Sequence, residues 1–125
     1  MKIENQVCAL KYSKHLKELG VKQESIWWWE LHNNSESELR YVKNGKIIDA
    51  GDNYYYSAYT VAELGEMLPL NTCSVKSKPL LSGIIYGCGF DQGRYKNRKV
   101  PIHFATIEAN AKAKLLIFLK ENKLL

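Results

Sequence analysis

Trp27, Trp28 and Trp29 stand in an unbroken row, and no other feature of the chain constrains its fold as much. Side chains along an extended strand alternate between its two faces, so Trp27 and Trp29 share one face and Trp28 takes the other. A small domain has one core. At least one indole must therefore be covered by a second element, covered by a partner, or left partly wet. The surrounding residues 25–31, Ser-Ile-Trp-Trp-Trp-Glu-Leu, have the β-branched and aromatic content of a strand.

Around that strand the punctuation is legible. Leu10, Leu16 and Leu19, with Ser13 between them, mark one face of a short helix over residues 10–19. Gly20 stands where a left-handed C-terminal cap is wanted. Leu39 to Lys43 and Lys46 to Asp49 flank Asn44-Gly45, the pair best suited to a tight hairpin turn. Strand 25–31 is expected to pair with 39–43, giving a three-stranded meander. Residues 51–59 are aromatic without a decisive period, and read as an edge strand or an ordered loop. Thr60-Val61-Ala62-Glu63 is a capping box opening a helix that carries Val61, Leu64 and Leu68 inward, and Pro69 ends it.

Further on, residues 70–81 read as a loop. Ser82 to Phe90 reads as a strand with Ile84, Tyr86 and Cys88 on one side and Ile85 on the other. Gly83, Gly87 and Gly89 weaken it and point to a bulge or a close backbone approach. Arg98 to Phe104 returns as a strand, and Pro101 fits an edge position best. In the closing segment Thr106 is the predicted N-cap, and Ile107, Ala111, Leu115, Phe118 and Leu119 form an inward stripe. Together these elements predict a single α+β domain over residues 1–125. Its mainly antiparallel sheet of about five strands is packed on one side by the N- and C-terminal helices, with a short helix at 60–68.

Composition limits the function classes. At 125 residues, with 46% hydrophobic and 25% charged, the chain suits one soluble domain rather than a disordered one. No apolar run approaches the roughly 20 residues a membrane helix needs. The start, Met-Lys-Ile-Glu-Asn-Gln-Val, lacks the features of a secretory signal, which predicts a cytoplasmic protein. Cys8, Cys73 and Cys88 are too widely and irregularly spaced for a disulfide framework or a metal motif, and read as reduced thiols. Residues 1–90 carry ten Lys/Arg and ten Asp/Glu, so the net charge of +5 comes from residues 91–125, with eight cations against three acids. That asymmetry hints at an acidic partner.

Several blocks carry a resemblance. They are Val7-Cys8-Ala9-Leu10 leading to Leu16 through Ser25, Tyr59 through Pro69, and Thr106 through Leu116 with Glu121 through Leu125. They resemble small uncharacterised proteins encoded by phages and mobile elements of gut bacteria, over about a third of the chain. The resemblance implies a bacterial or phage cytosol and no activity. It sits in capping boxes and apolar stripes, so it transfers no functional residue. It also implies a poorly capped first helix, because Ser or Thr more often stands in the place of Ala9.

Chemistry-bearing patterns are few. Cys8, His15, His32, Cys73, Cys88 and His103 include no pair at i, i+3 or i, i+4, so neither a metal nor another cofactor is predicted. Cys88 and His103 lie on neighbouring predicted strands, but a thiol on a strand lacks the helix N-terminus that usually lowers its pKa. Gly83, Gly87 and Gly89 fit no phosphate loop. Glu30, Asp49, Asp52 and Glu63 are scattered without the context of a paired-carboxylate hydrolase. No small-molecule ligand is predicted.

Two binding readings are left. Trp27, Trp28 and Trp29 with Tyr54, Tyr55 and Tyr56 are residue types that dominate protein interfaces, although they also build core-covering layers. Arg94, Tyr95, Lys96, Arg98 and Lys99 place four cations around one ring, which suits phosphates and a stacked base, although basic turns also serve solubility. The expectation is a non-enzymatic accessory protein that binds a protein partner, host or self, the homodimer included. Nucleic-acid binding through residues 94–99 is the alternative.

Overall fold

Residues 2–32, 36–43, 54–70, 72–78, 83–90 and 100–125 are described by a computed structural model. The leucine spacing near the N-terminus produces helix α1, Leu10–Glu18, with Ser13 and Leu16 buried. Gly20 takes φ +83°. The Val21 N–H then reaches the Leu16 carbonyl at 3.0 Å, and the Gly20 N–H reaches that of Lys17 at 3.0 Å. This is the Schellman closure, and Val21 and Leu16 complete it by meeting in the core. Ala9 at the N-cap offers no side-chain cap. Its own N–H is instead taken up by Asn110 Oδ1 at 2.7 Å, from the far end of the chain.

The tryptophan row forms β1, Trp27–Leu31, the middle strand of a three-stranded antiparallel sheet. On one side lies β2, Ser37–Tyr41, with Trp27 opposite Tyr41 and Leu31 opposite Ser37. On the other lies β3, Tyr55–Ser57, with Trp28 opposite Ser57 and Glu30 opposite Tyr55. The ambiguous 51–59 segment thus contributes a third strand through residues 55–57. The Asn44-Gly45 turn and its returning strand, residues 46–49, lie outside the described residues.

Helix α2, Val61–Met67, opens on a complete capping box. Glu63 N–H donates to Thr60 Oγ1 at 3.2 Å, and Thr60 N–H donates to Glu63 Oε1 at 2.9 Å. The second Glu63 oxygen accepts from Ile26 N–H at 3.2 Å, which ties the helix to the approach of β1. Leu68, before Pro69, is extended at ψ 152° and ends the helix as expected.

A second three-stranded antiparallel sheet follows in the order β4, β5, β6, from Thr72–Ser77, Ile85–Phe90 and His103–Ala105. Residues 72–77 read as loop in the sequence, yet each of them pairs with β5, from Thr72 opposite Phe90 to Ser77 opposite Ile85. The reason is exposure: five of the six β4 residues are exposed. A strand with neither face buried carries no apolar alternation to read. β6 is the other edge of this sheet, which suits Pro101 just before it. The α+β class and the antiparallel pairing stand. The strands among the described residues number six and are divided between two sheets rather than joined in one.

Helix α3, Glu108–Glu121, holds the molecule together, packing against α1, α2, β5 and β6. A one-sided stripe is expected, but Ala109, Ala111, Ala113, Leu115, Leu116, Ile117 and Leu119 are all buried, around most of the helix. The three alanines let neighbours approach closely. The N-cap is Ile107 rather than Thr106, because the Ile107 carbonyl takes the first helical N–H groups, those of Asn110 and Ala111. At the other end Lys123 takes φ 53°, and Leu124 N–H closes onto the Leu119 carbonyl at 2.8 Å. A side chain in that left-handed conformation costs about 1 kcal/mol. Lys123→Gly is expected to recover about that much, read as a higher midpoint in urea denaturation.

Candidate interaction surface

The tryptophan row divides as alternation requires, but mostly towards the interior. Trp28 is fully buried, its indole N–H donating to the Ser25 carbonyl at 2.8 Å. Trp29 is half-buried and donates to the Cys8 carbonyl at 2.9 Å. Trp27 is half-buried against the ring of Tyr41, centroids 5.5 Å apart and edge to face. Trp28 therefore does not reach the surface. Tyr41, against Trp27, is exposed, as is Ile26.

The tyrosines are similarly occupied. Tyr56 is half-buried with Lys17 Nζ 4.8 Å and Lys14 Nζ 5.8 Å from its ring centre. Lys17 also donates to the Tyr55 carbonyl at 2.9 Å. These contacts dock α1 onto β3. Tyr59 is buried, its hydroxyl donating to the Lys22 carbonyl. Among these tyrosines Tyr54 alone is exposed. Residues 94–99, the predicted basic segment, lie outside the described residues.

The thiols and histidines do not assemble into a reactive site. Cys8 is buried, 3.3 Å from Ser13 Oγ, and burial pushes its thiol up to about 11. Cys88 faces His103 across the β5–β6 ladder, but it too is buried and its thiol is raised by desolvation. Among the described residues no group of three His, Cys, Asp or Glu could hold a metal ion. One cleft of about 450 Å³ is lined by Gln6, Val61, Ile84, Tyr86, Ile107 and Glu108 among others. A second, about 460 Å³, is lined by Lys22, Glu24, Tyr59, Glu63, Glu66 and Met67. In the second, Lys22 is paired with Glu24 at 2.8 Å, which raises the ammonium pKa, and Glu63 is committed to Thr60 and Ile26.

His103 nevertheless has a consequence for stability. Its ring lies 5.3 Å from that of Phe118 and its Nε2 is buried without a hydrogen-bond partner. Burial, and then the charge of Lys114, holds its pKa below the ordinary 6.5. The unfolded chain therefore takes up this proton first as the pH falls. The stabilisation from neutral His103 is full above about 6.5 and is lost as the pH falls through that value towards the lower folded pKa. Between pH 7 and 5.5 the urea midpoint should fall, and His103→Leu should flatten part of that slope.

The exposed feature that sequence reading missed is the second sheet's outer face. Tyr86, Cys88, Phe90 and Ala105 turn towards α3 and the core, so alternation sends Ile85, Gly87 and Gly89 the other way. Cross-strand register puts Cys73, Val75 and Ser77 of β4 and Phe104 of β6 on that same outer face. Val75 is 60% exposed, Ile102 57% and Phe104 55%. The glycines form its floor. A Cβ on Gly87 would stand 2.9 Å from Phe104 Cε1, and one on Gly89 would stand 3.0 Å from Ile102 Cγ1. The close approach that Gly87 and Gly89 announce is thus made by side chains crossing β5, not by another backbone. The signal was present in the alternation of Gly87 and Gly89 with Ile102 and Phe104, but it needs the β5–β6 register to be read. No charged side chain lies on this face among the described residues.

Comparison of the chain with protein-family profiles, with curated proteins and with solved structures finds no match. No helix among the described residues is long and apolar enough to cross a membrane.

Proposed function

We propose that the chain is a non-enzymatic protein that works by binding a protein partner, and that it does so through the outer face of the second sheet. One observation carries this reading: Val75, Ile102 and Phe104, each more than half exposed, lie together on an uncharged sheet face. The largest apolar patch on a folded domain is often a functional one. The face has the character of an interface centre, apolar and depleted in charge. The buried, unactivated thiols argue in the same direction, since neither Cys8 nor Cys88 is suited to nucleophilic attack. The resemblance to proteins of phages and mobile elements suits a small accessory binder in the cytoplasm of a bacterial cell.

The double variant Val75→Gln/Phe104→Gln tests the site. Its partner should be lost from affinity capture in bacterial lysate, while Ile26→Gln/Tyr41→Gln, at exposed apolar residues of the first sheet and its approach, should retain it. Loss in the second variant alone, or in neither, contradicts the assignment.

Charge favours one alternative, nucleic-acid binding. Residues 91–125 carry eight Lys/Arg against three acids, and four of those cations, Arg94, Lys96, Arg98 and Lys99, lie within residues 94–99. Under that alternative, oligonucleotide retention at low salt should fall steeply with added salt and on Arg98→Ala with Lys99→Ala. No retention at low salt removes it.

A further inference from the structure

Helix α1 turns Ser13 and Leu16 inward and carries Lys11, Lys14 and Lys17 around the rest of its surface. Lys11 and Lys14 stand one turn apart, about 5–6 Å between Cβ atoms. Lys11 Nζ lies 4.9 Å from the ring centre of Tyr12. From α3, Lys114 Nζ comes within 6.0 Å of the same ring centre while donating to the Phe104 carbonyl at 2.6 Å. On the other flank Lys14 Nζ lies 5.8 Å from the ring centre of Tyr56 on β3, where Lys17 is also anchored. Thus α3, α1 and β3 gather ammonium groups around two tyrosine rings.

The partners of these groups leave their charge intact. Among the described residues none of Lys11, Lys14 and Lys114 forms an ion pair with a carboxylate. A ring face or a carbonyl oxygen positions an ammonium without cancelling its charge. Of the acids on α1 and α3, Glu121 is paired with His15 at 3.0 Å and Glu108 lines the cleft beside Tyr86. Only Glu18, at the end of α1, is left against the lysines. The result is an ordered cationic surface, which is the electrostatic footprint of a polyanion site.

Its surroundings narrow the polyanion. Among the described residues no large exposed apolar side chain belongs to α1 or α3. The face therefore offers no apolar stripe to a membrane surface and no apolar, lysine-poor centre to a protein partner. Tyr12 and Tyr56 are half-buried with ammonium groups over them, so neither ring is open to stack on single-stranded bases. A duplex needs no stacking platform, and it presents one phosphate charge per about 1.7 Å of its axis.

We infer that Lys11, Lys14 and Lys114 form a contact surface for the phosphate backbone of duplex nucleic acid, bound without regard to sequence. This surface stands independently of the protein-binding reading of the second sheet. The test is fluorescence anisotropy of a labelled DNA duplex of about 20 base pairs, two helical turns, titrated with the full chain. Three neutralised phosphates predict a slope of about −2.7 in log K against log salt, a loss on the order of 40-fold between about 50 and 200 mM. Lys11→Gln/Lys14→Gln should weaken binding about tenfold or more at the lower salt and bring the slope to about −1. Lys43→Gln/Lys76→Gln removes the same charge from exposed lysines elsewhere and should change neither quantity. Urea midpoints equal to that of the wild type check that both pairs fold.

Five outcomes overturn the inference. Equal weakening by the two pairs would mean a response to net charge rather than a site. Loss on Arg98→Ala/Lys99→Ala, with Lys11→Gln/Lys14→Gln unaffected, would move the contact to residues 94–99. Tighter binding of a single strand of the same length would remove the duplex. Retention on vesicles of anionic phospholipid, with none on the duplex, would give the surface to a membrane. Absence of binding at low salt would remove the polyanion altogether.

Discussion

Replacing Trp28 with alanine is expected to cost about 3–5 kcal/mol of folding stability, the range for removing a large aromatic from a packed interior. Trp28 is the largest of the fully buried side chains, and its indole N–H satisfies the Ser25 carbonyl at 2.8 Å. The alanine variant loses the packed volume and leaves that carbonyl without its partner. Domains of this kind hold about 5–15 kcal/mol in all, so about a fifth or more of the margin goes with one side chain. Trp27→Ala should cost far less, because Trp27 is half-buried and rests on the exposed Tyr41. Urea denaturation of the two variants separates them. Equal losses would mean that Trp27 is buried as deeply as its neighbour.

The second large effect is expected in thiol chemistry. Cys73 is exposed, whereas Cys8 and Cys88 are buried. With the Cys8 thiol pushed up to about 11, its thiolate fraction at pH 8 is lower than that of an ordinary thiol, with pKa near 8.5, by on the order of 100-fold. Closure of the structure around it slows reagents further. With an aromatic disulfide reagent, one thiol per chain should react quickly, and that phase should vanish in Cys73→Ser. The other two should react only as the chain unfolds in denaturant. Three thiols reacting together in the native protein would contradict the placement of Cys8 and Cys88.

Local signals in the sequence translated into structure where a few neighbouring residues decide the outcome. Gly20 closes α1 because the position needs a left-handed residue. Thr60 and Glu63 open α2 because each satisfies the other's backbone. Pro69 ends that helix because it forbids helical geometry at Leu68. The pairing of β1 with β2 was legible from composition and proximity in the chain. Long-range choices were not legible. Whether strands join one sheet or two depends on which edges meet, and nothing in a single strand records that. The β4 residues have the pattern of a loop because no face of the strand is buried.

The candidate surface divides along the same line. Trp28 is conspicuous in sequence yet serves the core, because aromatic side chains supply interiors and interfaces alike. Val75, Ile102 and Phe104 are inconspicuous. They become a surface only when the register brings Ile102 and Phe104 over Gly87 and Gly89 and sets Val75 opposite Gly87, and when α3 takes the opposite side of the sheet. Residue type alone points to Trp28 rather than to Phe104 as the exposed ring. Burial reverses it.

The central claim is that the second sheet leaves an apolar face open to solvent. Methyl and aromatic NMR signals recorded with a neutral paramagnetic cosolute test it without a partner in hand. The account predicts strong relaxation of the Val75 and Ile102 methyls and the Phe104 ring, with the Leu16 and Leu115 methyls and the Trp28 indole untouched. Val75, Ile102 and Phe104 as protected as Leu115 would contradict it.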